Sequence, residues 1–173
     1  MGYANSKTNP KHRDLMATPP WLFLRIQQVL CLTIAHDVCA QRSSAKCASY
    51  WTKNHNALTR DWSSEFPPLT PVYMNPPYSQ LPEFTAKAVE QASKGLIVVG
   101  LVPDTPSSKW YRDHLHGIAA SAYRPDGRIS FIKPNGKKAE SNMFPSIVPV
   151  WTPWQTGQTS YAYFDRYPQQ EAA

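Results

Sequence analysis

Two consecutive prolines in the middle of the chain, within Asn75-Pro76-Pro77-Tyr78, constrain its fold more than any other feature. Each proline lacks a backbone N–H and has a fixed φ angle, so this segment cannot continue the hydrogen-bond ladder of a sheet. The three residues before it, 72–74, have the apolar character of a short strand. The pattern therefore predicts a stiff turn directly after a strand, at the edge where open α/β sheets usually bind ligands.

The groups on this turn suit a planar substrate that carries an amino group. The side-chain oxygen of Asn75 and the carbonyl of Pro76 can each accept a hydrogen bond from one amino hydrogen. The lone pair of that nitrogen is then less delocalised into the ring and better aimed at an electrophile. The Tyr78 ring can stack on the substrate, as aromatic side chains do with unstacked bases. In a chain with 17 prolines, the alternative is a turn without chemical meaning.

The residues after the turn predict a βαβ unit. A helix is expected over 82–94, with Phe84, Ala88 and Ala92 on its buried side and Gly95 at its end. The almost wholly apolar segment 96–102 is typical of a central parallel strand that is covered on both faces. The sequence therefore predicts an α/β fold with a mostly parallel sheet flanked by helices.

The elements on either side follow from the same patterns. A helix is expected to begin at Pro19 with Thr18 as its N-cap, because proline favours the first helical position. A strand over 32–35 is expected to end at His36 and Asp37. The remaining expected elements are a short helix over 107–115 and strands over 129–133 and 147–151.

Length and composition indicate one folded domain. The chain has 173 residues, of which 42% are hydrophobic, and this supports a real core. We expect a flexible leader over 1–15, the folded domain over 16–152 and a polar tail over 153–173. No apolar run approaches the roughly 20 residues of a membrane span, and the polar N-terminus lacks an apolar secretion core. The expected location is therefore the cytoplasm.

The cysteines and histidines do not suggest a metal site. Cys31, Cys39 and Cys47 contain no CxxC pair and are expected to be reduced thiols. His114 and His116 are two residues apart, so on a helix they point to different sides.

The formal charge of +6 fits a polyanionic partner. Basic residues cluster around two glycine-containing turns between residues 124 and 138, the kind of loop that can reach a groove. An ordinary solvated hairpin is the alternative. The candidate nucleic-acid-binding residues are Arg124, Arg128, Lys133, Lys137 and Lys138.

Several blocks of this sequence resemble the S-adenosylmethionine-dependent amino-methyltransferases. More narrowly, the chain resembles the short phage and prophage family of DNA adenine-N6 methyltransferases, the Dam family, over residues 18–150. The blocks that carry the resemblance are Thr18-Pro19-Pro20, Asp37-Val38-Cys39-Ala40, Asn56-Ala57-Leu58 with Trp62, Asn75-Pro76-Pro77-Tyr78, Trp110 and Gly127-Arg128-Ile129-Ser130-Phe131.

This resemblance implies a compact, Rossmann-like methyltransferase fold and methyl transfer from S-adenosylmethionine to the N6 amino group of adenine in double-stranded DNA. The catalytic segment is then Asn75, Pro76, Pro77 and Tyr78. For a phage-encoded chain the expected location is the host cytoplasm.

The resemblance also assigns the cofactor-binding residues. Thr18 and Pro19 resemble the segment that closes over the methionine end of the cofactor. Asp37 is then the contact to the cofactor's ammonium or ribose hydroxyls, and the small residues Cys39 and Ala40 stand where a GxG loop, absent from this chain, is usual. Helix capping is the alternative role for both Thr18 and Asp37.

Asn56 departs from the family pattern, which tends to place an Asp there to bond the cofactor's adenine. Asparagine keeps an acceptor and adds a donor, but it lacks the charge. This departure and the missing GxG loop leave a catalytically silent nucleic-acid-binding relative as one alternative. A methyltransferase for protein glutamine or RNA is the other, because similar motifs occur there. Monomer and homodimer both remain open.

Overall fold

The computed structural model describes residues 14–139, 144–154 and 157–166. Within these ranges the helices are α1 (Pro20–Leu30), α2 (Leu81–Ser93) and α3 (Lys109–His114). The strands are β1 (His36–Asp37), β2 (Ser49–Tyr50), β3 (Pro71–Met74), β4 (Ile97–Gly100), β5 (Val102–Pro103), β6 (Ser121–Pro125), β7 (Ser146–Trp151) and β8 (Ser160–Phe164).

The strands form one sheet in the order β2-β1-β3-β4-β7-β6-β8, and β5 pairs with β7. Strand β7 is antiparallel to each of its neighbours β4, β5 and β6. The pairs β1–β2, β1–β3, β3–β4 and β6–β8 are parallel. From β1 the chain continues outward to β2, whereas from β3 it continues outward to β4 in the opposite direction. A topological switch point therefore lies between β1 and β3, where open α/β sheets bind ligands.

Helices cover both faces of the sheet. Along β3, Val72 and Met74 point into one hydrophobic cluster, which includes Phe84 of α2. Tyr73 points to the other face, into a cluster that includes Leu22 of α1. This alternation follows from the two-residue period of a strand. The predicted α/β architecture with helices on both faces is confirmed.

The βαβ unit is also confirmed. Strands β3 and β4 are parallel, in a register that pairs Val72 with Val98, and α2 connects them. The predicted buried side of α2 is correct, since Phe84, Ala88 and Ala92 are all buried. Gly95 has a φ of +114°, a conformation that glycine adopts without strain, and it follows the end of the helix as predicted.

The predicted start of the first helix is wrong by one residue. Helix α1 begins at Pro20, and Pro19 is the N-cap residue, with φ −59° and ψ 137°. The residue before a proline is disfavoured in the helical conformation, so the second proline of the pair sets the boundary. Thr18 therefore does not cap this helix, and its hydroxyl is used elsewhere.

The strand predicted over 32–35 is wrong, because only His36–Asp37 pairs as a strand. The N–H of Ile34 donates to the side-chain oxygen of Gln27 at 2.9 Å instead of to a neighbouring strand.

The strand predicted over 96–102 is divided. Gly100 ends β4, and β5 begins at Val102, so Leu101 lies between two strands. The N–H of Leu101 still donates to the carbonyl of Met74 at 2.9 Å.

The strand predicted over 129–133 is also wrong. Ile129 and Phe131 are buried in the hydrophobic cluster that includes Leu22 of α1, so their apolar character reflects core packing. Ile132 makes only isolated bridges, to Ala17 and Lys138. The strand that pairs with β7 at this position is β6. The strand predicted over 147–151 is confirmed as β7.

Strand β8 lies within residues 153–173, the segment predicted as a polar tail. It pairs with β6 at the end of the sheet, and four of its five residues are exposed. Residues 1–13 of the predicted leader and 167–173 of the predicted tail lie outside the described residues. In the described ranges, no helix has both the length and the apolar character needed to cross a membrane.

Candidate active site

A cavity of about 490 Å³ lies at the switch point, beside the carboxyl ends of β1 and β3. Its walls come from the stretch before α1, the loop after β1, the 52–58 region and the turn after β3. Of the residues predicted as catalytic or cofactor-binding, those that line this cavity are Thr18, Asp37, Cys39, Ala40, Asn56, Asn75 and Pro77.

The other three predicted residues are chain neighbours of the lining residues. Pro19 is buried next to Thr18, and Pro76 is buried between Asn75 and Pro77. Tyr78 is half-buried and begins the short 3₁₀ helix Tyr78–Gln80. The structure therefore brings together segments that are between about 20 and 57 residues apart in the sequence.

A hydrogen-bonded chain of three side chains crosses one wall of the cavity. The amide nitrogen of Asn75 donates to the hydroxyl oxygen of Thr18 at 3.0 Å. The same Thr18 oxygen lies 2.7 Å from the phenol oxygen of Tyr73. Burial raises the pKa of the Tyr73 phenol well above its usual range, so this group stays neutral. No sequence motif indicates Tyr73, although its period-two spacing from Asn75 places both residues on the same side of the chain.

The carboxyl group of Asp37 organises the loop after β1. One oxygen accepts from the N–H of Cys39 and the other from the N–H of Lys46, each at 3.1 Å. Burial raises the pKa of Asp37 to about 6, and the two N–H donors oppose that rise. Among the described residues no helix follows β1 directly, so helix capping is excluded as the role of Asp37.

Lys46 is a cavity residue that no sequence motif indicated. It lines the same cavity as Asp37. Burial lowers the pKa of the Lys46 ammonium, and the nearby charge of Asp37 opposes this effect. The wall after β1 therefore carries one acidic and one basic side chain, both partly removed from water.

His36 lies under this loop as a neutral side chain. Its Nδ1 is 2.7 Å from the hydroxyl oxygen of Ser49, and its ring packs against Trp51 at 4.5 Å between centroids. Burial lowers the pKa of His36 to about 4. The histidine contributes to packing at the end of the strand.

The local backbone explains why an asparagine suits position 56. Asn56 has a φ of +50°, in the left-handed region that asparagine tolerates better than most residues. The next residue, Ala57, accepts a hydrogen bond from the indole N–H of the fully buried Trp62 at 2.7 Å. Trp62 thus holds the 52–58 region against the core and presents Asn56 at the cavity.

Two further contacts fasten the stretch before α1 over the cavity. The Ser79 hydroxyl donates to a carboxylate oxygen of Asp14 at 2.6 Å, and the Ser79 N–H donates to the other at 3.3 Å. On its other side, Ala17 exchanges two backbone hydrogen bonds with Ile132, each of 2.9 Å.

The predicted nucleic-acid-binding residues lie outside the cavity and have different environments. Arg124 donates to the carboxylate of Asp104 at 2.6 Å, and its guanidinium lies 5.0 Å from the ring centroid of Tyr161. Its charge is therefore largely committed to an internal ion pair. Arg128, Lys137 and Lys138 are exposed, and Lys133 is half-buried.

Among the described residues, no group of three or more His, Cys, Asp or Glu side chains is placed to hold a metal ion.

Comparison with known proteins gives a consistent result. The profile of the family "DNA N-6-adenine-methyltransferase (Dam)" matches residues 5–172. The DNA N-6-adenine-methyltransferase of Haemophilus phage HP1 (strain HP1c1) is 29% identical over 150 residues, which cover 86% of this chain and 84% of that protein. The protein of the same name from Escherichia phage T1 is 23% identical over 183 residues, covering 94% of this chain and 72% of the relative. No solved structure matches the chain.

Proposed function

This chain belongs to the DNA N-6-adenine-methyltransferase (Dam) family, and from that membership we infer that it transfers a methyl group to the N6 amino group of adenine in DNA. One observation supports the assignment of the site above all others. Asp37 is the last residue of β1, and Asn75 directly follows the neighbouring parallel strand β3. Both side chains line one cavity at the switch point of the sheet.

We propose S-adenosylmethionine as the methyl donor. The volume of the cavity, about 490 Å³, lies within the range of roughly 300–1,000 Å³ that is usual for small-molecule sites. The carboxylate of Asp37 suits a cationic ammonium group or ribose hydroxyls. Cys39 and Ala40 have small side chains, which leave room for a close approach to the backbone.

Thr18 and Pro19 border the methionine end of this proposed site, and Asn56 offers an acceptor and a donor to the adenine ring. When bound, S-adenosylmethionine supplies an electrophilic methyl carbon on its sulfonium, so the chemistry requires no metal.

On the target side, the Asn75 side-chain oxygen and the Pro76 carbonyl accept hydrogen bonds from the two hydrogens of the adenine amino group. These contacts orient the nitrogen lone pair and polarise it where positive charge develops during transfer. Pro77 fixes the backbone of this turn, and the Tyr78 ring stacks on the base. A strong general base is unnecessary, because the amino proton becomes acidic only after the methyl group has been transferred.

We propose double-stranded DNA as the substrate. In a duplex the adenine amino group is paired and stacked, so the base must leave the helix to reach the turn after β3. The exposed lysines of residues 133–138 are suited to phosphate contacts, which give sequence-independent affinity.

The test is methyl transfer from labelled S-adenosylmethionine by the parent and by Asn75→Ala. We expect this substitution to reduce the rate on adenine-containing duplex DNA on the order of 100-fold or more, because it removes a polarising contact. Affinity for S-adenosylhomocysteine, measured by calorimetry, should stay within a few-fold. Asn54→Ala, at an exposed asparagine that does not line the cavity, is the matched control.

Parallel assays of the parent with DNA, RNA and protein pools separate the alternatives. Labelling confined to RNA or protein would contradict the DNA assignment, and wild-type turnover by Asn75→Ala would contradict the assigned role of Asn75.

A further inference from the structure

The side chains of Tyr73, Thr18 and Asn75 form a hydrogen-bonded chain from the core to the proposed target site. Tyr73 is 1% exposed and Thr18 is 2% exposed, so their hydroxyl groups are shielded from water. Thr18 lies between the other two, 2.7 Å from the Tyr73 phenol oxygen and 3.0 Å from the Asn75 amide nitrogen.

In the structure, the NH2 end of the Asn75 amide faces the threonine. In the bond at 3.0 Å, the Thr18 oxygen accepts and the Asn75 NH2 donates. A carboxamide is planar, with the oxygen and the NH2 group at opposite ends. With its NH2 end on Thr18, Asn75 has its oxygen left for another donor. An amino group of the substrate requires that oxygen, because an NH2 end cannot accept its hydrogen bond.

Tyr73 provides a rigid base for this arrangement. Its backbone belongs to β3, and its carbonyl accepts from the N–H of Val38 at 2.9 Å. Its ring packs edge-on against Phe23 of α1 at 5.1 Å between centroids. Thr18 is held in turn by the buried Pro19 at the start of α1. The orientation of Asn75 is thereby fixed through Thr18, which is held both by Tyr73 of β3 and by the start of α1.

We propose that Tyr73 and Thr18 are positioning residues that hold the Asn75 carboxamide in the orientation needed to accept from the target amino group. This inference rests on the proposed function of Asn75. The bond to Thr18 satisfies the buried Tyr73 phenol, and the proposal gives the same bond a second role, which is to hold the Thr18 hydroxyl beside Asn75.

Tyr73→Phe is the decisive variant, because it removes one hydroxyl and keeps the ring. We expect kcat at saturating cofactor and DNA to fall about tenfold, the rate equivalent of roughly one hydrogen bond. The KM for DNA and the affinity for S-adenosylhomocysteine should remain close to the parental values. Tyr50→Phe, on edge strand β2 and outside the cavity, is the matched control and should leave kcat unchanged.

Two further measurements distinguish positioning from a structural role. Thr18→Val should lower kcat at saturating cofactor, and Thr18→Ser, which keeps the hydroxyl, should restore it. In a double-mutant cycle, Tyr73→Phe should cost little when Asn75→Ala is already present, because no amide remains to be oriented. Residual transfer in that background is followed with radiolabelled methyl groups.

Parental kcat in Tyr73→Phe would overturn the proposal, as would a rate that is reduced only at low cofactor concentration and is parental at saturating cofactor. Full additivity with Asn75→Ala would overturn it as well. If Tyr73→Phe unfolds, the Thr18→Val and Thr18→Ser pair decides on the same criteria. Failure of the proposed function is a different result, in which the parent itself transfers no methyl group to DNA.

Discussion

At Asp37, burial and hydrogen bonding act in opposite directions on one carboxyl group. Removal from water raises its pKa to about 6, while the N–H groups of Cys39 and Lys46 favour the ionised form. At pH 8 the group is ionised and suited to a cationic partner. As the pH falls through about 6, the carboxyl gains a proton and loses that charge.

This titration predicts a pH-dependent affinity for the cofactor. The affinity for S-adenosylhomocysteine should be constant above pH 7 and weaken as the pH falls below about 6, by up to tenfold per pH unit. Asp37→Asn should weaken binding at pH 8 by about 1.5–3 kcal/mol, the value of a charge-assisted hydrogen bond, and should abolish the pH dependence. Calorimetry between pH 5 and 8 tests this, with a melting curve as the control for folding.

His36 does not interfere with this measurement, because burial lowers its pKa to about 4. If Asp37→Asn showed the same pH profile as the parent, the titrating group would lie elsewhere.

Among the elements, the turn at residues 133–138 carries Lys133, Lys137 and Lys138 and lies close to the cavity. Its backbone is closed by the N–H of Lys133, which donates to the carbonyl of Lys137 at 2.8 Å. Ile132, directly before the turn, pairs with Ala17 beside the cavity. Phosphate contacts made by the turn would therefore lie next to the proposed cofactor site.

The double variant Lys137→Ala, Lys138→Ala should bind duplex DNA more weakly than the parent. The slope of log affinity against log salt should become shallower by about one unit for each lost phosphate contact. Binding curves at several salt concentrations measure both effects. The matched control combines Lys87→Ala on α2 with Lys94→Ala directly after its end, which also removes two charges, both from ion pairs with Glu90. Superimposable curves for parent and turn variant would place the phosphate contacts elsewhere.

The contact between β4 and β7 predicts a different kind of effect, on stability. A Cβ at Gly100 would lie 2.9 Å from a ring carbon of Trp151, and Trp151 is 1% exposed. Gly100→Ala should therefore lower the free energy of unfolding by about 1–3 kcal/mol through overpacking. Urea denaturation measures this loss. Combining it with Trp151→Phe should cost less than the sum of the two single changes, and strict additivity would argue against the contact as the cause.

In the molecule as a whole, the cavity is formed by segments between residues 14 and 84 that meet at the central sheet, so its ligand should stabilise the complete fold. A ligand that binds only the folded state at a hundredfold excess over its Kd adds about 2.7 kcal/mol. For a domain of this size, S-adenosylhomocysteine should then raise Tm by roughly 5–11 °C. Thermal denaturation with and without the ligand measures the shift.

Asp37→Asn at the same ligand concentration should show a smaller shift in Tm. An unchanged Tm of the parent would instead support the catalytically silent alternative.

Features that depend only on neighbouring residues can be predicted from the amino-acid sequence. The paired prolines at 76 and 77 require a turn wherever they occur, because ring geometry and the missing N–H are local properties. The period of α2 and the apolar run into β4 likewise predict the βαβ unit that positions Asn75. Asp37 and Asn56 were identified by their motifs, and both line the cavity.

Contacts between distant residues cannot be predicted in this way and are known only from the folded chain. Thr18 is 55 residues from Tyr73 and 57 from Asn75, so no local pattern reveals that its hydroxyl joins them instead of capping α1. Apolar character alone could not distinguish a buried loop at 129–133 from a strand, since burial and pairing both favour the same residues. Strand pairing and side-chain partners depend on how the chain folds back on itself, and that is set by the packing of the entire core.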